Sequence, residues 1–178
     1  KTLGLKIEIQ YFTLPGESLA SLIRKISIEN LNLNNISFEI MDGLPVINPY
    51  GIKNESLKFM SRTSEAWSFV ENLENRVPFY HVKTLMQDVS QVKLEKRGNF
   101  FLSFFDTNDG PCLLEPVIDP MMLFGNCPDM QYPYKFAENS FDVKSQQHYE
   151  NRSTSAMTHG HFDISSGQCC EIISMIGH

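Results

Sequence analysis

The sequence lacks the features that would assign it to several broad classes of protein. Its 15 Lys and Arg residues are scattered and outnumbered by 21 Asp and Glu residues, giving a formal net charge of −6. A nucleic-acid-binding domain needs a basic patch or stripe, so this class is excluded. No apolar run approaches the roughly 18 residues of a membrane-spanning helix. We therefore expect a soluble protein that binds neither nucleic acid nor membrane.

Cysteine is also scarce, and its spacing matches no metal or redox motif. The four cysteines are Cys112, Cys127, Cys169 and Cys170, and no CxxC pair occurs among them. A chain of 178 residues can bury a large core, so it does not need disulfides to fold. No secretory signal is visible. We predict free thiols and a reducing, cytoplasmic location.

Alternation of apolar and polar residues is the strongest pattern present. It runs from Leu3 to Tyr11, from Ala20 to Ile28 and from Ile36 to Ile40, and turn-forming residues separate these segments. A period of two residues is typical of strands with one wet face. The three segments predict an antiparallel meander.

The rest of the chain predicts more strands and one helix. Residues Glu55 to Phe69 show helical spacing, with Asn54 as the N-cap. Val92 and Leu94 predict a hairpin with the strand Phe100 to Phe105, and residues 126–155 lack periodicity. A second hairpin closes the chain, with Ser-Ser-Gly-Gln as its turn. The pattern therefore predicts that residues 1–178 form a single, mainly β domain: an antiparallel β-sandwich with one short helix.

Two groups of side chains suggest chemistry, and each has a simpler explanation. His159 and His161 share one strand face and could bind a metal, with Cys169 or Cys170 as a third ligand. Exposed strand histidines are the alternative. Four acids lie in or near loops with Pro and Gly, where turn formation competes with acid–base catalysis; they are Asp106, Asp109, Glu115 and Asp119.

The connector "MDGLPVINPYG", Met41 to Gly51, is too apolar for an ordinary surface loop. Within it, Tyr50 combines an aromatic ring with a polar group, as sugar-binding surfaces do. Trp67 lies on the apolar stripe of the predicted helix, which favours the core over a sugar platform.

The connector and the segment "RTSEAWSFVENLENRVPFYHVK" that follows it resemble a known family. Further matching motifs are "QDVSQV", "GNFFLSFFD", "PVIDPMMLFG" and "GQCCEIISMIGH". Together they resemble the N-terminal β-sandwich of inverting glycoside phosphorylases of the cellobiose phosphorylase type, glycoside hydrolase family 94, and in particular the oligo-β-1,2-glucan phosphorylase branch. The resemblance runs from Lys1 to His178.

This resemblance implies a super-sandwich fold and a fragment of a much longer enzyme, in agreement with chain ends that lie inside strand patterns. In such enzymes an (α/α)6 barrel carries the catalytic Asp and binds oligosaccharide and phosphate, and no metal or organic cofactor is needed. The sandwich packs on the barrel and takes part in homodimer contacts. No catalytic residue is then expected here.

Four residues are the candidate substrate-binding or interface positions: Asn48, Tyr50, Arg62 and Trp67. The semi-apolar connector would be covered by the barrel or by a partner subunit. The alternative is that it folds back over its own helix. Two other functions stay open, a free-standing carbohydrate-binding module and a small metalloenzyme that uses His159 and His161.

Overall fold

The computed structural model describes residues 3–83, 90, 95–127, 129–138 and 141–178. The strands are β1 Leu5–Thr13, β2 Ser21–Asn30, β3 Ile36–Ile47, β4 Ser68–Glu71, β5 Phe79–Val82, β6 Asn99–Thr107, β7 Gly110–Leu113, β8 Glu115–Val117, β9 Thr154–Ile164 and β10 Cys169–Gly177. The helices are α1 Asn54–Phe59, α2 Ser61–Trp67, α3 Met121–Phe124 and α4 Tyr134–Ala137, with a 3-10 turn at Leu73–Asn75.

The strands form two antiparallel sheets, which confirms the predicted mainly β fold. The larger sheet has seven strands in the order β1-β2-β10-β6-β5-β4, with β7 also paired to β6, and the smaller has the order β3-β9-β8. Two clusters of apolar side chains are buried between the sheets. The first is centred on Ile26, Ile172 and Phe162. The second is centred on Tyr80, Phe101 and Ala156.

The smaller sheet is covered on its other face as well. There Val117 and Met157 pack against Leu123 and Phe124 of α3 and against apolar residues that follow it. The segment that lacks periodicity in the sequence is therefore the outer cover of this sheet. Coverage on both faces explains why residues 154–158 of β9 are all buried.

The predicted meander and closing hairpin are wrong, because two of the turns lead from one sheet to the other. Strand β2 pairs with β1 on one edge and β10 on the other, so β3 joins the smaller sheet. Likewise β9 and β10 are consecutive but lie in different sheets. The predicted strand at Val92 and Leu94 lies outside the described residues.

Both crossings meet at Asn30, which is fully buried at the end of β2. Its backbone N–H donates to the carbonyl of Gln168, at 3.0 Å, in the β9–β10 turn. Its side-chain amide donates to the carbonyls of Asn34 at 2.9 Å and Ile164 at 3.1 Å. One side chain thus satisfies backbone groups of both turns.

The single predicted helix is also wrong in its extent. Two short helices replace it, because Met60 between them has a non-helical backbone (φ −136°, ψ 36°). Residue Phe69 belongs to β4, and Lys53 occupies the N-cap position predicted for Asn54. Two further helices, α3 and α4, lie in segments for which no helix was predicted.

Replacing Asn30 should destabilise the corner where the sheets meet. Asn30→Ala leaves the buried carbonyl of Ile164 without its donor, so we expect a loss of about 2–3 kcal/mol in the free energy of unfolding. Asn34→Ala is the matched control, since Asn34 takes part through its backbone carbonyl. Urea denaturation of both variants measures the difference. Equal stability of the two variants would contradict this role for Asn30.

Candidate functional site

The prediction of a connector loop from Met41 to Gly51 is wrong for its first seven residues, which continue β3 to Ile47. The remaining connector, which follows β3, lies at one end of the sandwich, beside the start of β6 and the end of β10. The side-chain amide of Asn99 donates to the carbonyl of Asn48 at 2.8 Å. The ring of Tyr50 stacks on His178, with 5.6 Å between centroids. We call this region, residues 48–53 with Asn99 and residues 176–178, the connector end.

A second set of contacts holds Tyr50 in place. The guanidinium of Arg97 lies 4.9 Å from the centroid of the Tyr50 ring and donates to its hydroxyl at 3.2 Å. Arg97 also donates to both carboxylate oxygens of Glu95, each at 2.9 Å. These hydrogen bonds lower the pKa of Glu95 to about 2. Arg97 thus holds Tyr50 of the connector through a cation–π contact, and Arg97 is in turn held by its ion pair with Glu95.

A pocket of about 250 Å³ opens beside the connector end. Its walls are apolar, and two polar side chains, Arg24 and Ser174, lie among them. The lining residues are Tyr11, Leu22, Arg24, Leu44, Phe101, Ser174 and Ile176. They come from four strands of the larger sheet and from β3 of the smaller one, so the pocket lies where the two sheets part.

A chain of polar groups leads from this pocket into the core. Arg24 forms an ion pair with Asp42 at 2.5 Å, and the hydroxyl of Ser174 donates to the same carboxylate at 2.8 Å. The hydroxyls of Ser174 and Ser103 lie 2.9 Å apart, and Thr158 donates to Ser103 at 2.8 Å. Because Asp42 and Thr158 belong to the smaller sheet, these contacts join the two sheets through the core.

The charges of this pair are balanced, which limits what the pocket can bind. Burial by itself would lower the pKa of Arg24. The charge and hydrogen bond of Asp42, together with a hydrogen bond with Tyr11, raise this pKa by more than burial lowers it, so the net shift is upward. Arg24 therefore stays charged, with Asp42 as its counter-ion. The pocket offers apolar surface over a neutral ion pair, which suits an apolar side chain better than a free anion.

Of the four predicted site residues, the structure places two at the connector end. They are Asn48 and Tyr50, both described above. Arg62 and Trp67 lie on α2, where Arg62 is exposed and Trp67 is partly buried. Among the described residues, neither of these two contacts Tyr50 through a ring contact or hydrogen bond.

Sequence reasoning missed Arg97, Glu95, Arg24 and Asp42. A signal for the last two exists in the alternation. Arg24 falls on the face of β2 that carries Ile26, and Asp42 falls on the face of β3 that carries Ile40. Opposite charges at inward positions of two strands that are consecutive in the sequence indicate an ion pair in the core.

The two histidines share one face of β9, as predicted, but their surroundings differ. His159 packs against the rings of Phe136 and Phe141, at 6.2 and 5.2 Å between centroids, with its Nε2 3.7 Å from a carboxylate oxygen of Glu39. His161 is exposed, and its Nε2 lies 3.1 Å from the hydroxyl of Ser37.

The proposed third metal ligand is wrong. Cys169 and Cys170 lie on β10, in the other sheet from the histidines. In the described part of the chain, no three His, Cys, Asp or Glu side chains are grouped as a metal site. All four cysteines are free thiols, and burial raises the pKa of Cys170 to about 11. A thiol with so high a pKa is protonated and poorly nucleophilic at neutral pH.

The loop acids have structural roles. Asp119 is buried, accepts the backbone N–H groups of Met121 and His148, and lies 3.4 Å from Arg152. Glu115 forms an ion pair with Arg76. Asp106 and Asp109 lie at the tight β6–β7 turn. These positions favour the interpretation as turn-forming or paired acids over acid–base catalysis.

Comparison with known proteins gives no family for the chain. No protein-family model matches it, and no curated protein matches it significantly. None of the helices in the described residues has the length and hydropathy to cross a bilayer.

Replacing one member of the Arg24–Asp42 pair should lower the free energy of unfolding more than replacing both members with apolar residues. Asp42→Ala leaves a mostly buried guanidinium without its counter-ion, and we expect a loss of about 3 kcal/mol in the free energy of unfolding. The double variant Arg24→Met/Asp42→Leu should recover most of this loss. Glu171→Ala, which breaks the exposed pair with Lys25, should cost at most about 1 kcal/mol. Denaturant unfolding compares them, and a double variant as unstable as Asp42→Ala would contradict the expectation.

The Glu95–Arg97 pair should make stability depend on acid pH. Because the pKa of Glu95 falls from 4.5 to about 2 on folding, its contribution is fully present above pH 4.5. That contribution is lost as the pH falls from about 4.5 to about 2. Glu95→Gln should therefore flatten the plot of unfolding free energy against pH in this window. Glu55→Gln, on exposed α1, serves as the control, and identical plots for both variants would refute the assignment.

Proposed function

We propose that this chain is the non-catalytic β-sandwich domain of an inverting glycoside phosphorylase that cleaves β-glucosidic linkages with phosphate. Three observations support this function. The sequence motifs resemble that family along the whole chain, and an antiparallel two-sheet fold is what the resemblance implies. The third observation, which carries the proposal, is the nature of the surface at the connector end.

That surface is both ordered and apolar. The connector is fixed by the contacts of Asn48 and Tyr50, yet Leu44 and Val46 just before it stay 40% and 43% exposed. Leu22 and Tyr11, on the neighbouring rim of the pocket, are 44% and 61% exposed. A loop that folded back on its own domain would bury such side chains. Their exposure favours an interface with another domain.

The chemistry in this proposal belongs to the rest of the enzyme. In an inverting phosphorylase a carboxylic acid protonates the glycosidic oxygen while phosphate attacks the anomeric carbon from the opposite face. The barrel supplies both the acid and the phosphate site, and the sandwich supports the mouth of that site and contributes to dimer contacts. The four free thiols support a reducing, cytoplasmic location.

The first test is an activity assay on the full-length gene product. It should release glucose 1-phosphate from β-glucooligosaccharides in a phosphate-dependent reaction, whereas residues 1–178 alone should not. A full-length product without this activity would overturn the proposal.

The second test examines the interface. Leu44→Asp/Val46→Asp places two charges where the barrel would pack, so it should lower the Tm of the full-length enzyme by several degrees and reduce kcat/KM. Leu33→Asp is the matched control, because Leu33 is 94% exposed in the turn that follows β2. The stability of each variant of the isolated domain is measured as the reference, and the loss in the full-length enzyme should exceed the loss in the isolated domain for Leu44→Asp/Val46→Asp alone. Equal effects of both variants on the full-length enzyme would contradict docking at the connector end.

A free-standing carbohydrate-binding module is the second candidate. The observation that favours it is the pair Tyr132 and Tyr134, which are 51% and 47% exposed with ring centroids 4.8 Å apart. Titration of the isolated chain with β-glucooligosaccharides, followed by Trp67 fluorescence and calorimetry, tests it. Binding that disappears in Tyr132→Ala/Tyr134→Ala would favour the module.

A further inference from the structure

Strand β1 is an edge strand whose outer side has no partner in the described part of the chain. It is nine residues long and pairs with β2 from Leu5–Asn30 to Thr13–Leu22. A long, regular edge is a ready template for pairing with another strand, and proteins usually block it with charged side chains, a bulge, a proline or a covering loop. In the described part of the chain β1 has no bulge, proline or covering loop, and its two charges, on Lys6 and Glu8, are of opposite sign.

The hydrogen bonds at its start show which backbone groups face outward. The N–H of Leu31 donates to the carbonyl of Gly4 at 2.9 Å, so Gly4 directs its polar groups toward β2. Antiparallel ladders alternate, and even-numbered residues of β1 therefore bond to β2. The N–H and C=O groups of the odd-numbered residues, such as Leu5, Ile7 and Ile9, point to the free edge.

We propose that two copies of this chain pair through β1, antiparallel and about a two-fold axis at Ile7, so that their larger sheets become one continuous sheet. The proposed function assigns dimer contacts to this domain without naming the residues that make them; the present inference names the strand and its register, and it is argued from β1 alone. The pairing uses the free edge around Ile7, whereas the proposed docking surface lies at the connector end.

The charges on β1 select this register. Lys6 and Glu8 flank Ile7, so an axis at Ile7 places each Lys6 opposite Glu8 of the second copy. An axis at Lys6 or at Glu8 would place like charges opposite each other, which is destabilising. An axis at Ile9 would place Lys6 opposite Phe12 and leave both charges without an opposite charge across the new edge.

The geometry of the ladder agrees with the charge pattern. Because the odd-numbered residues carry the free backbone groups, Ile7 would exchange both hydrogen bonds with Ile7 of the second copy, and Leu5 with Ile9. Lys6 and Glu8 then fall at non-hydrogen-bonded positions, where Cα atoms are only about 4.5 Å apart and side chains are closest. The ion pairs would form where contact between the strands is tightest.

The apolar face of β1 gains from the same pairing. Ile7 and Ile9 are 56% and 52% exposed, although they align with the buried Ile28 and Ile26 of β2. In the proposed register Ile7 meets its own copy and Ile9 meets Leu5. Contacts between β-branched side chains across neighbouring strands stabilise a sheet. On the other face, Lys6 lies 3.6 Å from Glu8 and from Glu29 of β2. The carboxylate of Glu8 from the second copy would lie on this same face of the sheet, across the free edge from Glu29.

Charge reversal tests the register. Analytical ultracentrifugation of the chain should show a concentration-dependent dimer. Lys6→Glu and Glu8→Lys should each weaken it about tenfold or more, since each creates two like-charge pairs. The double variant Lys6→Glu/Glu8→Lys should restore the wild-type Kd to within about threefold. Lys25→Glu, on the same face but on β2, should leave the Kd unchanged.

A backbone change separates pairing from folding. Ile7→Pro removes an N–H that faces the free edge, so it spares the bonds with β2 and suits an edge strand. It should abolish the dimer while the monomer still unfolds cooperatively. A wild-type chain that stays monomeric at millimolar concentration would overturn the proposal. So would a dimer that survives Ile7→Pro, or single charge variants that bind as tightly as the wild type.

Discussion

The partly buried ion pair between Arg24 and Asp42 is the constraint on which the arrangement of the two sheets depends. Placing either charge in a core alone would be prohibitively unfavourable, so the two strands that carry them must face each other at this position. The hydroxyls of Ser103, Ser174 and Thr158 continue the contact and fix how one sheet lies over the other. Apolar packing alone would tolerate sliding between the sheets, whereas paired charges and hydrogen bonds do not.

The same pair explains why a pocket opens at this end. Arg24 and Asp42 occupy inward positions that apolar side chains fill elsewhere along β2 and β3. Beyond them the core continues along β3 to the buried Ile47, whereas Leu44, Leu22 and Tyr11 remain open to solvent. These exposed apolar side chains surround the charged pair, and the pocket opens between them.

The positions of the strands could be predicted from the sequence better than the pairing of the strands within the sheets. Alternation located β1, β2 and the first half of β3, because it reports which side of a strand is buried. It says nothing about which strand lies alongside, so the crossings after Asn30 and Ile164 were missed. The helix break at Met60 was missed because helical spacing continues through it. In the site, Tyr50 was predicted from its place in an apolar connector. Arg97 and Glu95 were not, because their pairing depends on a turn geometry that spacing does not encode.

The order of strands in the two sheets has a consequence for how the protein is made. Strand β10 lies between β2 and β6, and β9 lies between β3 and β8, so the two most C-terminal of the described strands are central in their sheets. During synthesis neither sheet can close until residues 154–177 have left the ribosome. Until then β2 and β6 lack β10 between them, β3 lacks β9, and the apolar faces of these strands stay uncovered. Such late, long-range closure slows folding and leaves apolar strand faces exposed in the nascent chain until β9 and β10 pair.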